Sequence, residues 1–531
     1  MPLTQDVSEL VADAALERPG ALAVVEAGGR GLTWAQLEDQ VARTATGLGA
    51  AGVVGGQRVM IALGNRLEFV TTYLGVLRAQ AVAVPVNPRS TEDELTRMVA
   101  DSGCRLVVAD GETLAGARAA VGRVRAALEG DPGELSEVIE RAAPARVVVV
   151  DEPTGEGEVP HAALVAVEPR PVPPLPDPDK LAALLYTSGT SGRPRAAMLT
   201  HRALLANVEQ VASVEPKMIH GDDVVLGVLP LFHVYGLNAT LGAVLRHRAK
   251  LVLVDRFEPE ATLDLVEDEA CSVLPVAPPV FAYWLPADNL RERLGPVRLM
   301  LSGSAPLSPE LVERFTDLTG IPVHQGYGLT EAAPVVTSTL CSAELQPGSV
   351  GAALPGIEIR LVDERGEAPE GEDPGEIQIR GANLFSGYWP DGSGGPDEEG
   401  WWSTGDVGFL DASGDLFLVD RVKELVIVSG FNVYPVEVED VVREVEGVAE
   451  AAVIGVPDDQ TGEAVVAYVR ASGDPTEVEA AVRAHCAERL ARFKQPSRVE
   501  IVDELPLTVT GKVQKGRLRG LERRRALGLL E

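Results

Sequence analysis

Short runs of apolar, often β-branched residues alternate with amphipathic segments over the first half of the chain, from about Val24 to Leu253. Such runs are typical of strands buried on both faces of a parallel sheet, and helical spacing of apolar residues is typical of the covering helices. The pattern predicts strands at Val59–Leu63, Ala81–Val86, Leu106–Ala109 and Val147–Val150, and helices at Glu68–Arg78 and Thr91–Asp101. The alternation indicates an α/β sheet with right-handed crossovers.

The remaining pattern predicts a second α/β stretch from Val224 to about His324 and a Gly-rich, strand-rich stretch from Gly348 to Phe417. A final boundary falls near Asp420–Glu424. Beyond it, a compact α+β unit is predicted, with helices at Val436–Val445 and Glu477–Leu490 and strands at Ala451–Val456 and Ala464–Val469. Because 531 residues exceed what one core usually supports, we predict a large N-terminal α/β domain of several subdomains over residues 1–420. A hinge over 421–424 and a small C-terminal domain over 425–531 follow.

Composition excludes several classes of protein. A net charge of −32 argues against nonspecific binding to nucleic acid or to anionic membranes. No apolar run approaches the roughly 20 residues of a membrane-spanning helix, and Met1 to Arg18 lacks the apolar core of a signal peptide. The four cysteines form no Cys-x-x-Cys pair, which favours buried free thiols in a reducing cytosol. We therefore expect a cytoplasmic protein without a nucleic-acid partner or an integral membrane segment, as a monomer or homodimer.

The most informative segment is Tyr186–Arg195, which follows the apolar run Leu181–Leu185 and is therefore predicted to be a loop leaving a strand. Small residues let backbone N–H groups approach an anion, and hydroxyls and two arginines add donors. The segment predicts a phosphate cradle, made by Thr187, Ser188, Gly189, Thr190, Ser191, Gly192 and Arg195. A solvated Gly/Ser linker is the alternative, but linkers seldom leave a buried strand and end on paired arginines. The loop lacks the Gly-x-x-x-x-Gly-Lys-Ser/Thr pattern, which disfavours a P-loop NTPase.

Five further segments carry unusual chemistry for their context: Pro230–His233, Gly326–Glu331, Ser403–Asp406, Asp420–Glu424 and Gly511–Lys512. Together with the phosphate loop they resemble, in order and spacing, the signatures of the adenylate-forming (AMP-binding) superfamily. Over essentially its whole length the chain is similar to an acyl-CoA synthetase of that superfamily, most like fatty-acid–CoA ligases. The resemblance implies that the small C-terminal domain is mobile.

The residue chemistry supports this interpretation. Tyr327, between Gly326 and Gly328, offers a flat face for a nucleobase, and the hydroxyl of Thr330 beside the carboxylate of Glu331 suits an α-phosphate with its Mg²⁺. A helix-capping pair is the alternative for these two residues.

Asp406 follows a Thr-Gly turn, where its carboxylate could bind both hydroxyls of a ribose. Local hydrogen bonding in the turn is the alternative. The resemblance implies that Arg421 assists Asp406, that Thr187 joins Glu331 at the metal, and that Gly303, Ser304 and Ala305 belong to the adenine-side wall. Ordinary core is the alternative for that wall.

The family resemblance also implies roles outside the nucleotide site. Lys423 is placed at the hinge, and Gly430 lets the pantetheine arm of coenzyme A pass. His233 follows an apolar run, where a lone histidine is more often a core residue; by resemblance it lines the entrance of the acyl pocket and binds rather than transfers a proton. Lys512 precedes a basic run, which makes a solubilising surface lysine plausible. By resemblance it enters the site and pairs with carboxylate and phosphate oxygens during adenylation.

The chain departs from the family at the end of the phosphate loop, where the usual Pro-Lys-Gly is Pro194-Arg195-Ala196. Arginine keeps the charge but changes the donor geometry, and Ala196 adds a Cβ. Either the loop tolerates both changes or catalysis is slower than is typical of the family, and we expect tolerance.

The implied reaction joins a carboxylic acid to coenzyme A in two halves, using Mg-ATP and passing through an acyl-adenylate. Pro230–Ala239 and Pro275–Ala282 are largely apolar and contain no arginine, which disfavours dicarboxylic acids. A medium- or long-chain fatty acid is the first expectation, and an aromatic acid such as a cinnamate or benzoate the second. An adenylate-forming enzyme that loads a carrier protein and a catalytically silent binding protein are alternatives.

Overall fold

The structure is a computed structural model that describes residues 5–187, 195–305, 307–363, 365–369, 373–421, 424, 426–428, 431–458, 461–508 and 511–526. The helices are α1 Glu9–Glu17, α2 Trp34–Ala50, α3 Leu67–Arg78, α4 Glu92–Ser102, α5 Leu114–Glu129, α6 His161–Val165, α7 His201–Ala212, α8 Ala243–His247, α9 Pro259–Asp268, α10 Pro278–Trp284, α11 Leu290–Arg293, α12 Pro309–Thr319, α13 Pro435–Arg443, α14 Pro475–Arg489 and α15 Lys515–Ala526. A π-helix spans Tyr235–Gly242, and short 3₁₀ turns span Gly133–Leu135, Ile139–Arg141, Thr330–Ala332 and Arg492–Lys494.

The strands are β1 Leu22–Glu26, β2 Gly31–Thr33, β3 Arg58–Ala62, β4 Val82–Pro85, β5 Leu106–Ala109, β6 Arg146–Val149, β7 Val159–Pro160, β8 Leu181–Thr187, β9 Arg195–Thr200, β10 Val224–Gly227, β11 Lys250–Leu253, β12 Val273–Val276, β13 Leu299–Ser302, β14 Val323–Gly328, β15 Val335–Ser338, β16 Ala352–Ala353, β17 Ile357–Val362, β18 Gly375–Gly381, β19 Trp402–Leu410, β20 Leu416–Arg421, β21 Val426–Val428, β22 Phe431–Val433, β23 Val448–Asp458, β24 Gly462–Ala471 and β25 Arg498–Ile501.

A seven-stranded sheet has the order β7-β6-β5-β3-β4-β8-β9 and is parallel except for its last pair. The four predicted strands are confirmed as β3, β4, β5 and β6, and the two predicted helices as α3 and α4. Helix α4 begins with a capping box in which Thr91 and Glu94 exchange hydrogen bonds with each other's backbone N–H. At that edge β9 returns antiparallel to β8, so the predicted phosphate loop is the connection between these two strands.

A nine-stranded sheet has the order β16-β15-β14-β13-β12-β10-β11-β1-β2. It contains the predicted second α/β stretch, but it also recruits β1, which pairs in parallel with β11 through Val24 and Leu251. The first half of the chain therefore contributes to two sheets rather than one. Local apolar patterning identifies both strands but carries no information about which distant strand each will meet.

The predicted strand-rich stretch forms a four-stranded antiparallel sheet, β17-β18-β19-β20. The C-terminal unit has its own sheet, in which β25 joins the path β22-β21-β24-β23, and its own apolar core beneath α13 and α14. Strand β20 ends at Arg421 and β21 begins at Val426, so the segment 421–424, predicted to be the hinge, starts at the last residue of β20 and ends before β21. Val422 and Lys423 lie outside the described residues.

One apolar core joins the two large sheets through α2 and α3, where Trp34, Phe69 and Tyr73 are fully buried. All four cysteines are unpaired, as predicted; Cys104, Cys271 and Cys486 are buried, whereas Cys341 is only half-buried. Of the helices in the described part of the chain, none is both long and apolar enough to cross a bilayer.

Candidate active site

The two ends of the phosphate loop are held together at the base of the β8–β9 hairpin. Thr187 stands opposite Arg195, and its Oγ1 donates a 3.3 Å hydrogen bond to the Arg195 carbonyl oxygen. Ser188, Gly189, Thr190, Ser191 and Gly192, which form the predicted cradle, lie outside the described residues. Ala196 is 1% exposed and packs in an apolar core. The Cβ that departs from the family pattern therefore has a packed environment.

Arg195 and Glu331 are both in contact with a tyrosine that the sequence did not single out. The guanidinium carbon of Arg195 lies 3.7 Å from the ring centroid of Tyr388. The Tyr388 hydroxyl donates a 2.7 Å hydrogen bond to Glu331 Oε1. Nothing in the sequence around Tyr388 marks it as a site residue. It lies between β18 and β19 of the four-stranded sheet, and its contacts depend on where the fold places that connection.

Glu331 lies in the 3₁₀ turn Thr330–Ala332 and is 9% exposed. No side-chain hydrogen bond caps that turn, so the capping alternative for Thr330 and Glu331 is not what the structure shows. Tyr388 engages one carboxylate oxygen, and no described residue donates a hydrogen bond to the other. A hard carboxylate with one oxygen unengaged fits Mg²⁺, which is usually bound by one or two carboxylates together with substrate phosphates. The described residues contain no cluster of three acidic, histidine or cysteine side chains suited to a metal.

Tyr327 and Asp406 meet at the end of the nine-stranded sheet. The hydroxyl of Tyr327 donates a 2.6 Å hydrogen bond to Asp406 Oδ2, and both residues are 7% exposed. Asp406 is in turn paired across the β19–β20 ladder with Arg421, whose side chain lies outside the described part of the chain. The structure therefore brings together the three residues predicted to contact the nucleoside.

Several predicted glycines have a structural reason to lack a side chain. A Cβ at Gly326 would lie 2.7 Å from the Thr337 carbonyl oxygen, and one at Gly328 would overlap a neighbouring backbone carbonyl. Both glycines are thus needed where β14 packs against the strand beside it. A Cβ at Gly303 would lie 2.7 Å from the Tyr235 ring. Ser304 adopts a left-handed backbone (φ 76°), and Ala305 follows it.

His233 lies between β10 and the π-helix, half-buried, with its Nδ1 accepting a 3.4 Å hydrogen bond from the Tyr235 backbone N–H. Burial, together with the positive charge of Lys512, lowers the pKa of His233 to about 4. The imidazole is therefore neutral at physiological pH, which suits a binding role better than proton donation.

Lys512 is brought to the large domain by a tight loop of the small one. The Thr508 N–H donates to the Lys512 carbonyl at 2.7 Å, and the Lys512 N–H donates to Thr508 Oγ1 at 3.0 Å. Gly511, between them, has φ 82°. The following basic run is not simply solvated, because Lys515 is 9% exposed and pairs with Glu439 at 2.8 Å and Glu424 at 3.1 Å. Lys423 and Gly430 lie outside the described residues.

Comparison with known proteins agrees with this geometry. Residues 11–389 match the model of the AMP-binding enzyme family, and residues 437–512 match the AMP-binding enzyme C-terminal domain. A 4-coumarate–CoA ligase of Narcissus pseudonarcissus is 33% identical over 92% of this chain and 88% of its own length. A long-chain-fatty-acid–CoA ligase of Bacillus subtilis is 31% identical over 98% of this chain and 95% of its own. The crystal structure of ATP-bound MatB from Rhodopseudomonas palustris superimposes with a TM-score of 0.86 at 32% identity, covering 98% of this chain and 99% of that one.

Proposed function

The chain belongs to the AMP-binding enzyme family, and from that premise we propose that it is an ATP-dependent ligase that joins a carboxylic acid to coenzyme A. The observation that carries the proposal is the meeting of two domains at one site. In the loop that carries Lys512, a Cβ on Gly511 would lie 2.6 Å from Pro279 Cγ of the large domain, and the charge of Lys512 helps to lower the pKa of His233.

In the first half-reaction a substrate carboxylate attacks the α-phosphate of ATP, and pyrophosphate leaves. No covalent bond to the protein is required, so the residues act by positioning and by neutralising charge. We assign the β- and γ-phosphates to the loop between Thr187 and Arg195, and the ribose to Asp406, oriented by Tyr327. We propose that Lys512 neutralises the negative charge that develops on the carboxylate and α-phosphate oxygens.

Glu331, with Thr187, is the proposed protein contribution to the Mg²⁺ site. Its carboxylate is held by Tyr388 through Oε1, which leaves the other oxygen for the metal. Magnesium, when bound, neutralises phosphate charge and orients the triphosphate for in-line displacement. The neutral His233 would contact the acyl group without competing with Lys512 for the carboxylate, because it carries no charge at physiological pH.

The second half-reaction, in which the coenzyme A thiol displaces AMP, requires a different face of the small domain. We assign Lys512 to the first half-reaction and the segment that carries Gly430 to the second, because one rigid arrangement would not present both faces of the small domain to the same site. We propose that the small domain rotates about the 421–424 segment between the two half-reactions.

The acid is proposed to be an apolar monocarboxylate. Two largely apolar segments, Pro230–Ala239, which contains His233, and Pro275–Ala282, contain no arginine or lysine that could neutralise a second carboxylate. Within that class we favour an aryl acid of the cinnamate or benzoate type, because most of the named relatives are 4-coumarate–CoA ligases, which align over 92% or more of this chain. A medium- or long-chain fatty acid is the second candidate, supported by the relative from Bacillus subtilis.

A pyrophosphate-release screen tests the proposal. Cinnamates, benzoates, fatty acids of graded length and malonate are each supplied with Mg-ATP, with and without coenzyme A, and thioester is measured in parallel. We expect pyrophosphate and thioester with at least one apolar monocarboxylate and neither with malonate. Pyrophosphate release without any use of coenzyme A would instead indicate transfer to a carrier protein, and no release with any acid would indicate a silent binding protein.

A further inference from the structure

We propose that Tyr388 is a positioning residue that couples the arginine at the end of the phosphate loop to the metal-side carboxylate. One side chain would thereby set both the plane of the Arg195 guanidinium and the orientation of Glu331. The inference rests on the proposed function, since it assumes that ATP and Mg²⁺ bind at this site.

The first half of the coupling is the stacking of Arg195 on Tyr388. The 3.7 Å separation from guanidinium carbon to ring centroid is within the range of a cation–π contact, and a planar guanidinium also stacks face to face on a ring. A lysine, the usual family residue at this position, has a point charge and no plane to orient. Asp391 is an acidic neighbour of Arg195. The hydrogen bond from the Ser393 N–H is the main cause of the lowered pKa of the Asp391 carboxyl, and the positive charge of Arg195 lowers that pKa as well.

The second half is the hydrogen bond from the Tyr388 hydroxyl to Glu331 Oε1, at 2.7 Å. Magnesium demands near-octahedral geometry, so a carboxylate that is already oriented binds it better than one free to rotate. Because one oxygen of Glu331 is engaged by the phenol, the other is directed to a defined position. The turn that carries Glu331 is tied to the same segment, since the Phe385 N–H donates to the Glu331 carbonyl oxygen at 2.9 Å.

The Tyr388 ring is itself fixed, which a positioning role requires. Its backbone forms bridges to Ala197 of β9 and to Ser393, and the Trp389 N–H donates to the Ala196 carbonyl oxygen at 2.9 Å. Phe385 packs edge-on against the ring with 5.0 Å between centroids. The strand that leaves the phosphate loop therefore carries the ring with it, and any shift of β9 would be felt at Glu331.

The test measures nucleotide binding rather than turnover. Binding of α,β-methylene ATP is followed by titration calorimetry, first without metal and then as a function of Mg²⁺ concentration. Tyr388→Phe keeps the ring but removes the hydroxyl that binds Glu331. The Mg²⁺ concentration at which nucleotide affinity reaches half of its maximal increase should therefore rise about 10-fold, the lower end of the range for removing the hydrogen-bond partner of a metal ligand. The metal-free Kd of this variant should stay within about twofold of the parent.

Tyr388→Leu removes the stacking as well and should weaken metal-free binding too. In the metal-free titration the double variant Tyr388→Leu, Arg195→Leu should bind the nucleotide about as weakly as Arg195→Leu alone, because without metal the ring acts only through the arginine. Tyr468→Phe is the matched control: it removes another tyrosine–carboxylate hydrogen bond, to Glu522 in the small domain, and should leave both titrations unchanged.

The outcomes distinguish a failure of the proposed function from a failure of the coupling through Tyr388. If the parent enzyme does not bind the analogue, the proposed function fails and this inference fails with it. If the parent binds with a clear Mg²⁺ dependence that Tyr388→Phe leaves in place, the proposed function stands and the coupling through Tyr388 is wrong. Equal weakening of both titrations by Tyr388→Phe would mean that the hydroxyl only maintains the fold, which also overturns the inference.

Discussion

Gly511 of the small domain lies directly against Pro279 of the large domain, so closely that a Cβ on Gly511 would come within 2.6 Å of Pro279 Cγ. The same glycine has φ 82°, a conformation that residues with a side chain rarely adopt. Both facts concern the loop that delivers Lys512. The contact between this loop and the large domain therefore depends on a position that only glycine satisfies.

Gly511→Ala should prevent this docking and cut acyl-adenylate formation about 10²-fold, the scale for losing one electrostatic group at the transition state. Thioester formation from supplied acyl-adenylate should be retained, because that half-reaction does not use the docked loop. Gly516→Ala, in helix α15 with no atom within 4 Å of the added Cβ, is the matched control and should leave both half-reactions intact. Equal rates in the two variants would contradict the requirement for docking.

Lys512→Ala should cut adenylation by at least ~10²-fold, since the ammonium is assigned to charge that develops in that transition state. Rapid-quench measurement of acyl-AMP, alongside thioester formation from supplied acyl-AMP, separates the halves. Arg517→Ala, an exposed cation of the same basic run, should have little effect. A variant in which both half-reactions fall together would show that Lys512 has another role.

Tyr327→Phe removes the hydroxyl that orients Asp406. We expect the KM for ATP to rise about 3- to 10-fold, with kcat changed less than twofold, because a single hydrogen bond to a charged group is lost without removing the carboxylate. Steady-state kinetics over a range of ATP concentrations measures this, and Tyr468→Phe serves as the comparison. An unchanged KM would assign the Tyr327–Asp406 bond to folding alone.

His233 should contribute to the loss of folding stability at acid pH. Its pKa of about 4 in the folded chain lies below the value of about 6.5 expected when unfolded, so the unfolded chain takes up the proton first as the pH falls. Stability from this group is present above pH 6.5 and declines between about pH 6.5 and 4. Denaturant unfolding at several pH values should show a shallower decline in His233→Gln than in the parent.

His247 provides the control for that measurement. Burial, followed by the charge of Arg246, lowers its pKa to about 4 as well. His247→Gln should flatten the stability profile similarly but leave the KM for the carboxylic acid unchanged, whereas His233→Gln should raise it. If neither variant alters that KM, His233 is a core residue rather than part of the acyl pocket.

Lys423→Pro tests the rotation of the small domain. Proline fixes φ near roughly −65° and removes a backbone N–H, so it should hold the predicted hinge in one arrangement. We expect pyrophosphate release in a single turnover but much slower thioester formation. Normal turnover would place the hinge elsewhere or make rotation unnecessary.

Local patterning was sufficient for most elements of the fold and for the chemistry of the site. Strand Leu106–Ala109 has the bounds that its apolar run predicts, since burial on both faces of a parallel sheet leaves an unbroken local signal. The motif around Tyr327 and Glu331 could likewise be recognised, because the residue types that bind nucleotides and magnesium lie within a few positions of one another.

What the sequence determined by itself was the identity of the elements, the order of the motifs and the residues with suitable chemistry, because each depends on neighbours along the chain. The tertiary structure alone decided that Val24 pairs with Leu251, that Tyr388 joins Arg195 to Glu331, and that Gly511 meets Pro279. These contacts join segments far apart in the chain, and each partner has an ordinary local environment. They form only when packing of the whole molecule returns the chain to the same place, which no local pattern encodes.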